Sequence, residues 1–361
     1  APMPPEGWPL LFFIHGTSGT SAQVHDRGRD PGTGPREPGG GPARIAAARG
    51  WAAAGMGSFL APEHLPPEVT VNGQVGNNFF NPRAMRGDYQ QYVAERLLFR
   101  RLLNALAIDP ALCPGADASA SPDGRMRFDP DMQVIQGHSL GSVTGGSLAA
   151  VDPMGVQGVV LSGSGASWLE SIFGPMDPLP TRTIVEVLAL QLPPWETLDV
   201  WHPMVAFAEL AMGTADTIHV LPRVLRHPVP GRPAPHVLVV NGYRDTVVTD
   251  NMQRAVVGAL GVDFAGPEVG PFPDGQILPR ILLAGGAHFD YPAGGNRVVP
   301  GVGPRTAIAV RYPEDGIRNG HDVLFQLDAP KHQVGCFLAD LAAGRTPIAR
   351  EGGAEGDPCI P

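Results

Sequence analysis

The sequence predicts an α/β protein, a mainly parallel sheet flanked by helices, with a helical cap inserted between two core strands. Three observations carry this. The runs PLLFFIH at residues 9–15 and HVLVVN at 236–241 are apolar throughout, as expected of strands covered on both faces. Helical segments fall between such strands, the clearest being the amphipathic stretch at 88–106 with Tyr92, Leu97 and Leu103 on its apolar face, which implies βαβ units. The alternation then breaks at residues 167–230, where Trp168, Trp195 and Trp201 sit among Leu- and Val-rich pieces punctuated by proline. Residues 1–166 and 231–361 therefore read as the core and 167–230 as a cap or lid insertion.

The elements follow in order. After the first strand, residues 16–42 are crowded with Gly, Pro, Asp and Arg and read as a long loop of mobile character. Residues 43–54 are Ala-rich and expected to be helical, and 58–62 form a short strand candidate. Residues 113–130 read as a loop. Residues 132–136 form a strand running into Gly137-His138-Ser139-Leu140-Gly141, and 142–151 a helix of small residues. A strand at 157–161, a helix at 250–260, strand candidates at 280–284 and 306–312, and a closing helix at 330–343 with Pro330 at its start complete the core.

Composition bounds the function. Hydrophobic residues make up 43% and charged residues 17% of the 361, which excludes a disordered or fibrous chain. The 47 glycines and 40 prolines follow no repeat and imply many turns. A net charge of −9 argues against nucleic acid as a partner and gives no indication of membrane contact. Cys113, Cys336 and Cys359 lack any metal-ligand spacing. Cys336 and Cys359 form one candidate disulfide that would pin the C-terminal tail, and three plain thiols are the alternative. No metal and no cofactor are expected, since no H-x-x-x-H, acidic cluster or G-x-G-x-x-G after a first strand occurs.

The chemistry centres on Ser139. Gly137 to Gly141 fits G-x-S-x-G, a sharp strand-to-helix turn that thrusts a serine hydroxyl out at the end of a sheet. Small residues flank it because the turn brings strand and helix close together. The helix N-terminus behind it favours developing negative charge. A tetrahedral oxyanion needs two backbone N–H donors, and Leu140, after the serine, and Thr17, in His15-Gly16-Thr17-Ser18-Gly19, are the natural pair. His15 reads as a structural histidine.

With HGTSG at residues 15–19 and GHSLG around Ser139, the chain resembles the α/β-hydrolase superfamily. The segments GWPLLFFIHGTSG, GHSLGS and NGHDVLFQLDAPKHQ are similar to bacterial extracellular lipase/esterase-type hydrolases. The resemblance implies the α/β-hydrolase fold, ester hydrolysis and a secreted or cell-envelope location, although no signal-peptide pattern occurs. The superfamily has two strands before the oxyanion strand where only residues 1–8 stand here, so a truncated sheet or a further upstream segment is expected.

The resemblance also implies the order serine, acid, histidine. Asp245, in Gly242-Tyr243-Arg244-Asp245 after the strand at 236–241, is the best acid. Asp250 is the runner-up and is expected instead to cap the next helix. Two histidines fit as base. His321, in Asn319-Gly320-His321-Asp322 between the last strand and the last helix, is favoured; His288, in Gly285-Gly286-Ala287-His288, is the alternative. His332 and His138 read as structural. The expected function is a serine hydrolase cleaving a small-molecule or lipid-like carboxylic ester through Ser139, His321, Asp245 and an acyl-enzyme. Thioesterase, peptidase, lactonase or polyesterase chemistry on the same site stays open, as does a non-catalytic binding protein of the same fold. The tryptophans at 168, 195 and 201 read as core packing before substrate contact.

Overall fold

Side chains along a strand point alternately to its two faces, so a strand apolar at every position must be covered on both. That is the arrangement here. The computed structural model of the chain describes residues 2–65, 78, 81–174, 177, 181–269 and 285–360. Among the described residues, eight strands form one sheet: β1 (Trp8–Ile14), β2 (Ala52–Gly55), β3 (Phe128–His138), β4 (Gly158–Ser162), β5 (His236–Gly242), β6 (Asp263–Ala265), β7 (His288–Phe289) and β8 (Ala307–Tyr312). Their spatial order is β2-β1-β3-β4-β5-β8-β6-β7, and every pairing is parallel. All eight strands therefore end on one edge, where a parallel sheet places its ligands.

The main helices are α1 (Pro42–Ala47), α2 (Pro82–Ala105), α3 (Leu140–Val151), α4 (Pro203–Met212), α5 (Asp250–Leu260) and α6 (Asp328–Ala342). One face of the sheet, with Leu11, Val134 and Leu238, packs against Ile45 of α1 and Phe337 of α6. The other, with Phe12, Ile135 and Val239, packs against Leu148 of α3 and Leu260 of α5. Neighbouring strand residues thus serve opposite layers, and each fully buried large side chain stabilises the fold by about 1.5–3 kcal/mol. Arg100 of α2 lies entirely within this core, paired with Asp152 and donating to Gln133 Oε1 at 3.0 Å from Nε.

The structure corrects several expectations. The helix expected over 43–54 stops at Ala47. Gly50 takes a positive φ of 78°, and Ala52–Gly55 becomes strand β2, paired with β1. Ladder bonds to β1 override the helix propensity of alanine there. Residues 58–62 form no strand and lead into a single 3-10 turn, Pro62–His64. Strand β3 starts at Phe128, inside the expected loop, and β6 and β7 were not anticipated. The strand candidate at 280–284 lies outside the described residues. The loop at 16–41 is tied down at its middle: Asp30 N donates to Gln326 Oε1 at 2.7 Å, and Gln326 Nε2 returns a bond to Asp30 O at 2.9 Å.

Residues 167–230 lie between β4 and β5 and, where described, are built mainly of helical pieces. Asp216 gathers them, accepting from Ser167 N at 3.2 Å and Trp168 N at 2.7 Å. Trp168 packs edge-on against Tyr89 of α2 with ring centroids 5.3 Å apart. Trp195 and Trp201 are 85% and 86% exposed; the core packing expected of the tryptophans holds for neither.

Cys336 and Cys359 are disulfide-bonded across a sequence separation of 23, tying the C-terminal tail to α6. Closing a loop of that length removes chain entropy worth about 3 kcal/mol from the unfolded state. Replacing both cysteines with serine is expected to lower the unfolding free energy by about that amount. Urea denaturation of the variant and of the oxidised parent checks this.

Candidate active site

The site is built from the C-terminal ends of neighbouring strands. Strand β3 ends at His138 and helix α3 starts at Leu140, so the reversal falls on Ser139 alone. It adopts φ 57° and ψ −126°, a strained conformation for a residue with a side chain. Its N–H donates to Ser162 O at 3.0 Å. The turn is possible because its flanks lack side chains. A Cβ on Gly137 would collide with the carbonyl of Gly141, and one on Gly141 with the carbonyls of Ile14 and His15. Helix α3 therefore sits directly against the end of β1.

The β1 end brings the second expected element. A Cβ on Gly16 would lie 2.8 Å from Ser139 Cβ and 3.3 Å from its Oγ, so the turn carrying Thr17 borders the serine. Thr17 is exposed. Leu140 opens α3, and its N–H is one of the donors that no helical carbonyl can satisfy. His15 is buried, donates from Nδ1 to Gly16 O at 2.8 Å, and burial lowers its imidazole to about 4. It is a neutral structural histidine.

Asp245 follows β5 and His321 follows β8, the adjacent strand. One carboxylate oxygen of Asp245 accepts from Val247 N at 3.0 Å and Val248 N at 2.7 Å. The other accepts from His321 Nδ1 at 3.0 Å. Both residues are buried. Burial lowers the pKa of His321, but the charge and hydrogen bond of Asp245, with Asp322, outweigh it and raise it above its ordinary value. With Nδ1 donating to Asp245, the lone pair of neutral His321 lies on Nε2. Asn319 accepts from His321 N at 2.9 Å and donates to Thr246 Oγ1 at 2.9 Å, fastening the two loops together.

His288 is placed elsewhere. It is exposed on β7, bonded through Nε2 to Gly266 O at 2.6 Å. Strand β7 lies five positions from β3, on the order of 24 Å at the usual spacing of about 4.8 Å per strand. Asp250 does not cap α5 through its side chain; Thr249 holds the N-cap position and Asp250 pairs with Arg311.

The structure adds two partners that the sequence did not point to, Arg27 and Asp322. Arg27, from the loop after β1, donates to Asp322 Oδ1 at 2.8 Å and to His138 Nε2 at 3.2 Å. His138 is fully buried and bonds through Nδ1 to Ser162 Oγ at 3.0 Å. Its ring centroid lies 4.8 Å from that of His321. Beside Ser139, Leu140 and Val143 join Tyr89, Tyr92, Trp168 and Met212 in an apolar cluster.

A parallel sheet covered on both faces, a G-x-S-x-G turn between strand and helix, and an acid and a histidine on the following strand ends together define the α/β-hydrolase fold. No family model and no curated protein matches the sequence. Among solved structures, acetyl xylan esterase 1 from Thermoanaerobacterium sp. is similar at 14% identity and a TM-score of 0.47, over 92% of this chain and 74% of that one. An acetyl xylan esterase from Paenibacillus sp. is similar at 13% identity and a TM-score of 0.45, over 78% and 76%. The proline iminopeptidase of Mycobacterium smegmatis is similar at 14% identity and a TM-score of 0.39, over 95% and 93%.

The close approach of α3 to β1 gives a test with an internal control. Gly141→Ala is expected to destabilise the protein by about 1–3 kcal/mol, because backbone must move to admit the methyl group. Gly87→Ala, in α2, where a Cβ meets open space, is expected to stabilise it by about 0.5–1 kcal/mol. Urea melts of the two variants compare them directly.

Proposed function

We propose that the protein is a serine hydrolase that cleaves carboxylic esters, with Ser139 as nucleophile, His321 as general base and Asp245 as its orienting acid. The observation that carries this reading is the 3.0 Å hydrogen bond between His321 and Asp245, on the ends of β5 and β8 at the same sheet edge as the strained Ser139 turn. His321 takes the serine proton through Nε2 as Oγ attacks the carbonyl. The N–H groups of Leu140 and Thr17 receive the oxyanion. His321 then gives its proton to the leaving alcohol, and water hydrolyses the acyl-enzyme. Asp245 is already satisfied by two backbone donors, so it serves as a fixed negative charge facing the imidazolium.

Apolar surroundings favour an apolar ester. The cluster of Leu140, Val143, Tyr89 and Trp168 borders the turn, and Trp195, Trp201, Phe207 and Leu210 expose apolar surface on the segment between β4 and β5. We read residues 167–230 as a cap over the site. The Cys336–Cys359 disulfide supports a secreted or cell-envelope location, since such bonds persist in oxidising compartments.

A series of p-nitrophenyl esters of increasing acyl length tests the reaction and its preference together. Ser139→Ala and His321→Ala are expected to lose on the order of 10⁴-fold or more in kcat, and Ser139→Ala to lose labelling by a fluorophosphonate. His288→Ala is expected to match the parent. Full activity in Ser139→Ala refutes the reading, and a dead His288→Ala with an active His321→Ala reassigns the base.

The pH dependence carries a sign. His321 acts as a base only when neutral, and its pKa is raised above the ordinary 6.5. The acid limb of kcat/KM is therefore expected above pH 6.5, with activity lost as pH falls through it. Asp245→Asn removes the main raising influence and is expected to move that limb to lower pH, while kcat falls on the order of 10⁴-fold.

A further inference from the structure

We propose that Arg27 is a positioning residue: by donating to His138 Nε2 while pairing with Asp322, it holds His138, the residue before Ser139, as a neutral imidazole beside His321. The catalytic consequence rests on the serine-hydrolase reading above; the state of His138 does not.

Arg27 reaches the residue before the nucleophile and the residue after the base at once. One nitrogen, Nη2, lies 2.8 Å from Asp322 Oδ1 and 3.2 Å from His138 Nε2. Nη1 donates to Gln23 Oε1 at 3.1 Å, and the guanidinium lies 4.5 Å over the Phe325 ring. Its side chain is only 11% exposed. Arginine has no acceptor and does not give up its proton, so the nitrogen it faces must carry a lone pair. That fixes the His138 proton on Nδ1, where it is donated to Ser162 Oγ at 3.0 Å. The carbonyl of the same Ser162 accepts from Ser139 N at 3.0 Å, so the orientation of His138 bears on the turn itself.

The charged and titratable groups facing His138 come from three directions. Arg27 and Arg36 belong to the loop after β1, and His321 and Asp322 to the loop after β8. Ser162, on β4, completes the surroundings. Burial, then Arg27, then His321 depress the His138 imidazole well below its ordinary value. The Asp322 carboxylate lies 3.8 Å from His138 Nε2. Without Arg27 it becomes the nearest partner of that nitrogen and draws a proton onto it. A charged His138 would then oppose protonation of His321, whose ring centroid is 4.8 Å away. Arg27 prevents this by occupying Asp322. It also leaves His321 beside a nearly neutral ion pair: Asp322 raises its pKa and Arg27 lowers it.

Two readouts test the proposal on the intact protein. In ¹⁵N-histidine NMR, the parent is expected to keep His138 unprotonated on Nε2 from about pH 5 to 8. In Arg27→Met, His138 is expected to titrate within that window, and in Arg27→Met/Asp322→Asn to return to the neutral form. In ester hydrolysis, Arg27→Met is expected to lose on the order of 10-fold or more in kcat at neutral pH, with KM changed by less than about threefold. Its acid limb becomes steeper than one proton. Arg27→Lys restores part of the rate, and the double variant restores the one-proton limb. Should Arg27→Met not fold, Asp322→Asn alone decides. It is expected to keep His138 neutral and to move the acid limb to lower pH; an unmoved limb counts against the proposal. A His138 that stays neutral in Arg27→Met, with a limb like the parent's, overturns it. If the parent cleaves no ester, the functional reading fails while the NMR titration still decides the role of Arg27.

Discussion

The contact of helix α3 with the end of β1, at Gly141 against the carbonyls of Ile14 and His15, is the constraint on which the site depends. It leaves no room for a gradual change of direction after β3. One residue must absorb the whole reversal, and Ser139 does so at φ 57°. A strained residue persists only where its surroundings over-determine it. Here the determinants are the sheet, which fixes His138 through the pairing of β3 with β4, and the helix, which fixes Leu140. The same packing sets the turn after β1 against the serine, so the turns carrying Thr17 and Ser139 share one geometric cause.

A second close approach makes Asp245 and His321 one unit. A Cβ on Gly242 would strike the Gly320 carbonyl, and one on Gly320 the Tyr243 carbonyl. The loops after β5 and β8 are thus in main-chain contact, and Gly320 N donates to Arg244 O at 3.2 Å. The Asp245–His321 bond is held by backbone as well as by its own charge. Burial opposes the charged imidazole and the carboxylate favours it, and the carboxylate prevails. An imidazole buried without such a partner, as at His15, is instead driven down to about 4.

The sheet and the serine turn were legible because their signals are local. G-x-S-x-G marks its own turn, and apolar runs such as 236–241 mark strands covered on both faces. Asp245 and His321 were reached through their places after strands together with the superfamily order. Strand β2 was missed because alanines carry no strand signal and acquire their state from β1. Strands β6 and β7, at three and two residues, are too short to show a period. Arg27 and Asp322 lie 295 positions apart, and Arg100 pairs with Asp152 across the core. No spacing rule marks such pairs, since their partners are chosen only when the layers close. Trp195 and Trp201 mislead in the opposite sense: a large apolar residue is expected inside, yet both lie on the surface.

Two imidazoles so close together, one of them next in sequence to Ser139, raise the question of which can carry a charge. At a separation of 4.8 Å, two unit charges repel by about 3 kcal/mol at an effective dielectric of about 20. That corresponds to roughly two pKa units, enough to hold one ring neutral across the working range of the other. Geometry decides which. His321 faces a carboxylate, so its charge is stabilised. His138 faces a guanidinium and a hydroxyl, so its charge has nothing to meet. The carboxylate that could reverse this, Asp322, is already engaged by the same guanidinium. The loop after β1, with no strand or long helix of its own, thereby sets the charge state of the ring beside Ser139.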